Sequence, residues 1–421
     1  MAQLSDDCFA QGGRLMRVDE ALDLLARTMV CVSEAVPVAL PRALGRILGE
    51  DVTAPHDVPP HDNSAVDGYA VFFDDLDPAG ETVLPVTGRA AAGHPLGRPA
   101  RRGAAIRVFT GAPMPEGPDT VLMQEDCRLE KGRAGDRVMI PHGIKRGANR
   151  RARGEDIAAG SVVLRQGMRL RPQDLGQAAA VGRRELLVAR PLEVALFSTG
   201  DELREPGQPL DDGCIYDSNR YTIQGLLRGL GCAVDDLGIL ADRAEAVRAA
   251  LAAAARDHDL IVTSGGVSVG EEDHVRQAVE ALGKLHLWRL AIKPGRPIAL
   301  GQVGRVPFVG LPGNPVAVMV TFLNIVRPMI LRLMGASALA PHHFRVRADF
   351  AYKKKKDRRE WVRARLVGGD GGWRAVKFPR DGAGILSSMV ESEGLVELPE
   401  EMTHLEPGTM VEFLPFSEVC S

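Results

Sequence analysis

The stretch TSGGVSVGEEDH, residues 263–274, combines two features that could do chemistry on an anion: adjacent glycines and clustered carboxylates. It follows the apolar run Leu260–Val262, which predicts a buried strand. Gly265 and Gly266 would let backbone N–H groups point outward with no Cβ in the way. The start of a following helix would add partial positive charge, which favours an anion such as phosphate. The stretch is therefore interpreted as an oxyanion cradle with metal-binding carboxylates at its edge.

Charged side chains also follow other predicted strands of this part of the chain. They are two acids, Glu202 and Asp242, and two cations, Lys293 and Arg296. In open parallel α/β sheets, ligands bind beyond the carboxyl ends of the strands, so these side chains are expected to converge there with Asp273. Carboxylate oxygens suit Mg²⁺, which takes one or two of them together with waters and phosphate. Any one of these acids could instead be a partner of a helix N-terminus, whereas the whole set favours a binding site.

The regular alternation of strands and helices after residue 191 predicts an α/β domain whose parallel sheet is covered on both faces. The predicted strands are 192–198, 233–240, 260–264, 285–292 and 306–310, and the predicted helices are 221–231, 244–255, 273–282 and 316–334. The last helix is mostly apolar, but Asn324, Arg327 and Arg332 interrupt it. A buried helix is therefore favoured over a membrane span.

Gly- and Pro-rich segments with short β-like runs lie on both sides of the α/β domain. Residues 51–153 predict a small β domain. Residues 153–182 then alternate strand, turn and helix, so the β domain is expected to be an insertion into an N-terminal domain. Short helices are expected at Val18–Met29 and Pro41–Ile47. After Pro341, five short runs with turns between them predict a small barrel or sandwich.

Composition limits the classes of function. The 421-residue chain has a net charge of −3, so it is not expected to bind nucleic acid or other polyanions as a whole. Basic runs at 145–153 and 353–359 are interpreted as solvated surfaces, with attraction of an anionic substrate as the alternative for the first. The acidic N-terminus is unlike a signal peptide, and six scattered cysteines indicate free thiols in a reducing cytoplasm. No P-loop, dinucleotide-binding, zinc-ligand or serine-nucleophile motif occurs.

Eight motifs in a fixed order carry a resemblance to a known family. They are PPHDNSAVDGYAV, RVFTGAPMPEG, RRARGEDI, ALFSTGDEL, YDSNRYTI, TSGGVSVGEEDHV, AIKPGRPIALG and GLPGNPVAV. Taken alone, the first two are equally well explained as turns of a β domain. Together, the eight resemble the MoeA family of molybdopterin molybdenumtransferases, which includes the E domain of gephyrin.

The resemblance implies a multidomain α/β plus β fold. Its parts are an elongated N-terminal domain, an inserted β domain, a central parallel α/β domain of the molybdopterin-binding type and a C-terminal β barrel. The expected boundaries are 14–55 with 153–186, 56–152, 187–338 and 339–421. A cytoplasmic, elongated homodimer is also implied. Its cleft would lie between the α/β and C-terminal domains of one subunit and the inserted β domain of the other.

The implied reaction is the Mg²⁺-dependent hydrolysis of adenylylated molybdopterin, coupled to insertion of molybdate into the dithiolene and release of AMP. A molybdopterin adenylyltransferase is then an expected partner enzyme. Two other interpretations stay open. The chain could be a non-catalytic dimeric scaffold of the gephyrin E-domain type, or its α/β domain could itself adenylylate molybdopterin with ATP.

The motifs also carry the family's functional residues onto this chain. By resemblance, the catalytic residues are Asp67, Thr110, Asp156, Glu202, Asp242 and Asp273. Among these, Asp67 and Thr110 would enter the cleft from the partner subunit. The magnesium ligands would be Glu202, Asp242 and Asp273. The substrate-binding residues would be Ser264, Gly265, Gly266, Ser268, Lys293, Arg296, Pro297, Pro312, Pro315, Arg363 and Ser388.

The molybdate pocket implied by the resemblance includes Lys293, Arg296 and Pro297. This sequence departs from the common family pattern beside that pocket. Arg296 stands where the family often has lysine, and Ala317 stands where many members have serine. The guanidinium keeps the positive charge but is planar and forked, so its anion geometry is expected to differ.

Overall fold

A computed structural model describes residues 15–265 and 274–420. This part of the chain contains three six-stranded β-sheets. One sheet belongs to the inserted β domain, one to the α/β domain and one to the C-terminal domain. Short two-stranded pairs complete this β structure: Asn63–Ser64 with Arg150–Arg151, Leu203–Arg204 with Ile215–Tyr216, and Tyr352–Lys353 with His404–Leu405.

The N-terminal domain is built from two separate segments of the chain. Its first helix is Val18–Thr28. The strand Ala35–Ala39 then pairs antiparallel with Glu185–Ala189, and Val52–Thr53 pairs with Val162–Leu164. The chain thus leaves this domain and returns to it, which confirms that the β domain is an insertion.

The helix expected at Pro41–Ile47 is wrong. Leu40–Arg42 forms a single 3-10 turn, and Gly45 then adopts a φ of 75°, which ends any helical continuation. Ile47 lies instead in an antiparallel β-bridge. A regular helix of this domain follows later, at Pro172–Ala180, where proline occupies the first turn.

The inserted domain contains a mixed six-stranded sheet that is covered on both faces. In spatial order its strands are Thr120–Met123, Gly68–Val71, Ala105–Val108, Thr82–Ala90, Arg137–Ile140 and Arg128–Glu130. Tyr69 and Leu122 belong to one apolar cluster and Ala70 and Ile106 to another. Because successive side chains of a strand point to opposite faces, the two clusters bury both sides of the sheet.

Gly68 begins a central strand of this sheet and has no room for a side chain. A Cβ at this position would overlap the carbonyl oxygen of Leu122 in the neighbouring strand. We expect Gly68→Ala to lower the free energy of unfolding by about 3 kcal/mol, because one of the two backbones must move. Denaturant unfolding measures this change. Gly176→Ala, in a helical position with no atom within 4 Å of the added Cβ, is the control and should raise stability by about 0.5 kcal/mol.

The α/β domain combines four parallel strands with an antiparallel hairpin. In spatial order its strands are Ala233–Leu240, Glu193–Thr199, Leu260–Ser264, Val306–Leu311, Pro297–Val303 and Gly283–Arg289. The first four are parallel to one another, as predicted. The sequence prediction omits Pro297–Val303, whose antiparallel pairing makes the sheet mixed at this edge. The cause is local: Gly304 and Arg305 form a two-residue turn that reverses the chain.

Helices cover both faces of this sheet. They are Asn219–Gly229, Ala244–Asp257, His274–Leu282 and Pro315–Leu333. The last includes a π-helical segment, Phe322–Val326. By length and composition alone it could cross a membrane, but 83% of its apolar window is buried inside the protein. That burial agrees with the expected core helix.

The C-terminal domain is a closed β barrel. The strand Arg359–Val367 pairs with both Arg374–Lys377 and Gly394–Leu398. Phe344–Ala348 and Met410–Pro415 complete the ring. Closure of the sheet decides between the barrel and the sandwich that the sequence left open.

A short strand joins the α/β domain to the barrel. Ile292–Lys293 pairs in parallel with Arg359 and Glu360 at the start of the first long barrel strand. The loop that follows, residues 293–297, is thereby held between the sheet edge and the barrel wall. This junction creates the space in which the predicted site lies.

Candidate functional site

A cavity of about 520 Å³ lies between the carboxyl edge of the α/β sheet and the C-terminal barrel. The sheet side contributes Gly265, the loop 293–297 and the loop 312–314. The barrel side contributes Arg363 and the segment 381–383. A space of this size between two domains suits a small-molecule ligand.

Six of the predicted substrate-binding residues line this cavity: Gly265, Lys293, Arg296, Pro297, Pro312 and Arg363. The loop 293–297 depends on Gly295, which has a φ of 94°. A Cβ at Gly295 would overlap the hydroxyl oxygen of Thr321 in the buried helix. Glycine therefore lets this loop lie directly on the helix and present its cations to the cavity.

The cavity carries an excess of positive charge. Among the residues that the structure describes, the charged lining side chains are four cations and two acids: Lys293, Arg296, Arg363, Lys377, Glu360 and Asp381. The excess is two positive charges, which an anion of two negative charges would balance. Electrostatics therefore favours an oxyanion as the ligand of this cavity.

Arg363 is the most deeply buried of the four cations, with 7% of its surface exposed. Its Nη2 donates to the carbonyl oxygen of Arg380 at 3.1 Å, but its buried Nε has no hydrogen-bond partner within residues 15–265 and 274–420. Burial lowers the pKa of the guanidinium, and Asp381 only partly offsets this effect. A buried, incompletely paired guanidinium is costly, so an anion in the cavity would relieve that cost.

Lys293 reaches the cavity from the junction between the two domains. Its Nζ donates to the hydroxyl oxygen of Tyr352 at 3.0 Å and lies 3.4 Å from a carboxylate oxygen of Glu360. Burial works against the charged ammonium, but the contacts with Tyr352 and Glu360 outweigh it and raise the pKa of Lys293. The side chain is therefore a cation throughout the neutral range.

A second, smaller cavity of about 90 Å³ adjoins the first at the sheet edge. Gly265 and Gly313 line both cavities. Glu202, Ser264 and Pro315, all predicted site residues, line the smaller one. The anion-binding residues and the acidic sheet edge are thus parts of one continuous site.

Two of the three predicted metal ligands lie beside the end of the strand Glu193–Thr199. Thr199 donates its hydroxyl to Asp242 Oδ1 at 3.3 Å. The Glu202 carboxylate folds over Gly200, where an added Cβ would lie 2.6 Å from its Oε2. Two carboxylates at one sheet edge are donors of the kind that fit Mg²⁺.

The third predicted ligand, Asp273, lies outside the described residues, as do Gly266 and Ser268. Within residues 15–265 and 274–420, no group of three or more histidine, cysteine, aspartate or glutamate side chains is arranged to hold a metal ion. The described chain thus offers two carboxylates, so a third carboxylate ligand would have to come from the segment that contains Asp273.

Asp67 and Thr110, both predicted catalytic residues, contact each other in the inserted β domain. Both the backbone N–H and the hydroxyl of Thr110 donate to Asp67 Oδ1 at 2.8 Å. These two hydrogen bonds hold the pKa of Asp67 below its ordinary value, so the carboxylate is ionised at neutral pH. No residue between 56 and 152 lines either cavity. Within one chain, the described residues therefore leave this pair apart from the cavity site.

Asp156 and Ser388 are also placed away from the two cavities. Asp156 is exposed, and its N–H donates to the carbonyl oxygen of Val58. Ser388 is fully buried in the short helix Ser387–Val390, where its hydroxyl donates to the carbonyl oxygen of Ile385 at 2.5 Å. The structure thus does not bring these two residues together with Lys293 and Arg363.

The two basic runs are largely occupied by local contacts. Arg146 pairs with Asp119, and Arg153 pairs with Asp57. In the second run, Lys354 donates to backbone carbonyl oxygens, including that of Met402 at 2.8 Å. Both runs were expected to be solvated surfaces, whereas these contacts also give them a structural role.

The sequence reasoning misses several cavity residues, among them Tyr352, Glu360, Lys377 and Asp381. Tyr352 precedes a lysine run and Glu360 follows two arginines, so neither stands in a recognisable motif. Lys377 ends the barrel strand Arg374–Lys377, and no motif of the sequence marks it. These residues line the cavity because the barrel packs against the α/β domain at the junction.

Three family models match successive parts of the chain. They are the MoeA N-terminal region (domain I and II) over residues 16–182, a probable molybdopterin binding domain over 195–332, and the MoeA C-terminal region (domain IV) over 345–416. Together they follow the order of domains that the structure has.

Whole-chain relatives agree with these matches. A molybdopterin molybdenumtransferase of Haemophilus influenzae is 37% identical, over 96% of this chain and 100% of that protein. One from a Nostoc species is 35% identical, over 87% of this chain and 85% of that protein. The crystal structure of a molybdopterin biosynthesis MoeA protein from Pyrococcus horikoshii aligns with a TM-score of 0.81 at 29% identity, covering 95% and 99% of the two chains. The chain therefore belongs to the MoeA family of molybdopterin molybdenumtransferases.

Proposed function

We propose that this transferase hydrolyses adenylylated molybdopterin with Mg²⁺, inserts molybdenum from molybdate at the dithiolene and releases AMP. One observation carries the proposal: a cavity whose described lining has two excess positive charges adjoins a smaller cavity that is lined by the acids Glu202 and Asp217. The first suits a dianionic oxyanion and the second a metal-bound phosphate. Their shared wall at Gly265 and Gly313 supports a reaction that needs both ligands at once.

Molybdate is the proposed occupant of the larger cavity. Lys293, Arg296 and Arg363 supply donors to a tetrahedral dianion from different sides. The unpartnered Nε of Arg363 gives such an anion a contact that the protein leaves unmade. Holding the anion next to the pterin substrate replaces an encounter in solution by proximity.

Glu202 and Asp242, with the predicted Asp273, would hold Mg²⁺ at the smaller cavity. When bound, the ion would supply Lewis-acid charge to the phosphate that undergoes attack by water. Ser264 and Gly265 end the strand Leu260–Ser264 and line this cavity. Ser264 would orient the phosphate through its hydroxyl, because the N–H of Gly265 already donates to the carbonyl oxygen of Leu311 at 3.2 Å.

A cytoplasmic homodimer with a shared active site is part of the proposal. The Asp67–Thr110 pair does not line the cavities of its own chain, which supports a site completed by the inserted β domain of a second copy. Asp156 belongs to the segment in which the chain returns to the N-terminal domain, where its N–H donates to the carbonyl oxygen of Val58. A molybdopterin adenylyltransferase would be the enzyme that supplies the adenylylated substrate.

A turnover assay with the purified full chain tests this function. We expect stoichiometric AMP release and molybdenum incorporation from adenylylated molybdopterin, molybdate and Mg²⁺. Absence of AMP release would favour the scaffold interpretation. ATP consumption with unmodified molybdopterin would favour adenylylation by the α/β domain.

In the same assay, Glu202→Gln should lower the apparent affinity of the enzyme for Mg²⁺. We expect the Mg²⁺ concentration for half-maximal rate to rise about tenfold, since one charged ligand is lost while the side chain keeps its size. Glu205→Gln, three positions along in an ion pair with Arg220, is a control that removes a nearby charge outside both cavities. Equal Mg²⁺ dependence in the two variants would contradict a metal-binding role for Glu202.

A further inference from the structure

Lys293 is fixed by a residue of the barrel that lies directly opposite it. The parallel pairing of Ile292–Lys293 with the barrel strand places Lys293 in register with Glu360. The ammonium can therefore occupy its position in the cavity only where the two domains are docked. No motif of the sequence contains this pair.

Glu360 is a buried carboxylate, with 1% of its surface exposed, and both of its oxygens have donors. Oε1 accepts from Arg358 Nε at 2.9 Å. Oε2 accepts from the Tyr352 hydroxyl at 3.0 Å and lies 3.4 Å from Lys293 Nζ. A buried charge needs such partners to be tolerated, so Glu360 strongly restrains the groups around it.

The Tyr352 hydroxyl links the buried acid to the cavity cation. It donates to Glu360, so its oxygen is left to accept from Lys293 Nζ at 3.0 Å. Burial raises the pKa of Tyr352, and the opposing effect of Lys293 does not cancel this, so the hydroxyl keeps its proton at neutral pH. The ammonium has three N–H groups, and the hydroxyl orients it while leaving donors for a ligand.

We propose that Tyr352 and Glu360 are positioning residues for the oxyanion cavity, holding the Lys293 ammonium at the wall where the molybdate oxyanion binds. The inference rests on the proposed function and extends it to two residues for which no role is assigned. The contacts from Glu360 through Tyr352 to Lys293, called the relay below, connect the barrel to the α/β domain. The oxyanion site is therefore complete only when these two domains are correctly docked. Without the hydroxyl, Lys293 would lose the contact that orients its ammonium toward the ligand.

Tyr352→Phe in the full chain tests this role, because it removes the hydroxyl and keeps the ring. We expect the KM for molybdate to rise about tenfold and kcat at saturating molybdate to stay within about twofold, since one oriented charged hydrogen bond is lost. The melting temperature should change little. Tyr221→Phe, which removes a hydroxyl that donates to Glu205 at 3.2 Å outside both cavities, should leave KM and kcat unchanged. An unchanged KM in Tyr352→Phe would overturn the positioning role.

A second measurement follows Lys293 itself and needs no turnover. Competitive labelling with acetic anhydride, read by mass spectrometry across pH, reports the pKa of Lys293. In Tyr352→Phe and Glu360→Gln we expect that pKa to fall relative to the unsubstituted protein, because contacts that stabilise the ammonium are removed. The same pKa in all three proteins would overturn the relay.

The two measurements separate this inference from the proposed function. Failure of the unsubstituted protein to use molybdate would sink the proposed function, while the labelling result would still decide the relay. Normal molybdate use with an unaltered KM in Tyr352→Phe would sink the positioning role alone. If Glu360→Gln is poorly folded, Tyr352→Phe still provides both readings.

Discussion

Arg363→Met is expected to weaken molybdate binding strongly while leaving the protein at least as stable. The guanidinium is buried, its Nε is unpartnered, and its pKa is lowered by burial. A charge whose pKa is lower in the folded state is disfavoured there, so removing it should not reduce the free energy of unfolding. Loss of a buried charged contact to the anion should raise the Kd for molybdate by about 100-fold or more.

Calorimetric titration with molybdate and denaturant unfolding measure the two halves of this expectation. Arg365→Met is the matched control, because Arg365 lies two positions along the same strand, is exposed and does not line the larger cavity. It should leave the Kd unchanged. Loss of both binding and stability in Arg363→Met would show that the residue acts through folding rather than through the anion.

Mixed dimers should recover activity that neither parent has, if Asp67 and Arg363 act in one site across the subunit interface. Differently tagged Asp67→Asn and Arg363→Met chains are co-expressed, and the heterodimer is purified through both tags. In a symmetric dimer with shared sites, one site then contains both native residues and the other contains neither. We expect each homodimer to be near background and the heterodimer to reach about half of the unsubstituted rate.

The reciprocal arrangement is the decisive control. A heterodimer of an unsubstituted chain with a chain that carries both substitutions places one defect in every shared site. It should therefore be nearly inactive, whereas sites confined to single chains would leave about half of the activity. The opposite ranking of the two heterodimers would contradict the shared site and return Asp67 to a role within its own chain.

Local patterns in the sequence were sufficient to predict much of the site. Glycine turns and strand ends are properties of a few consecutive residues, so the order of residues is enough to assign Gly265 and the loop 293–297 to the sheet edge. The family resemblance added Arg363, which lines the same cavity as Lys293. The same reasoning placed Ser388 in the pocket, whereas packing turns its hydroxyl inward to Ile385.

Periodicity also predicted the class of each domain, with two specific failures. A helix was expected where Gly45 breaks the chain, and the strand Pro297–Val303 was omitted because its two-residue turn is weakly marked. In both cases, residues that favour a turn determined the local structure, although the apolar pattern predicted something else. Neither changed the edge of the sheet at which the site was expected.

The sequence alone thus specified the domain types, the sheet edge and the loops that carry the acids and cations, because those features depend on residues close together in the chain. Tertiary structure alone placed Glu360 and Tyr352 against Lys293, closed the barrel and made the two cavities adjoin. Their placement depends on which strand pairs with which across more than 50 positions of sequence, and that choice is made by packing spread over many residues rather than by any local motif.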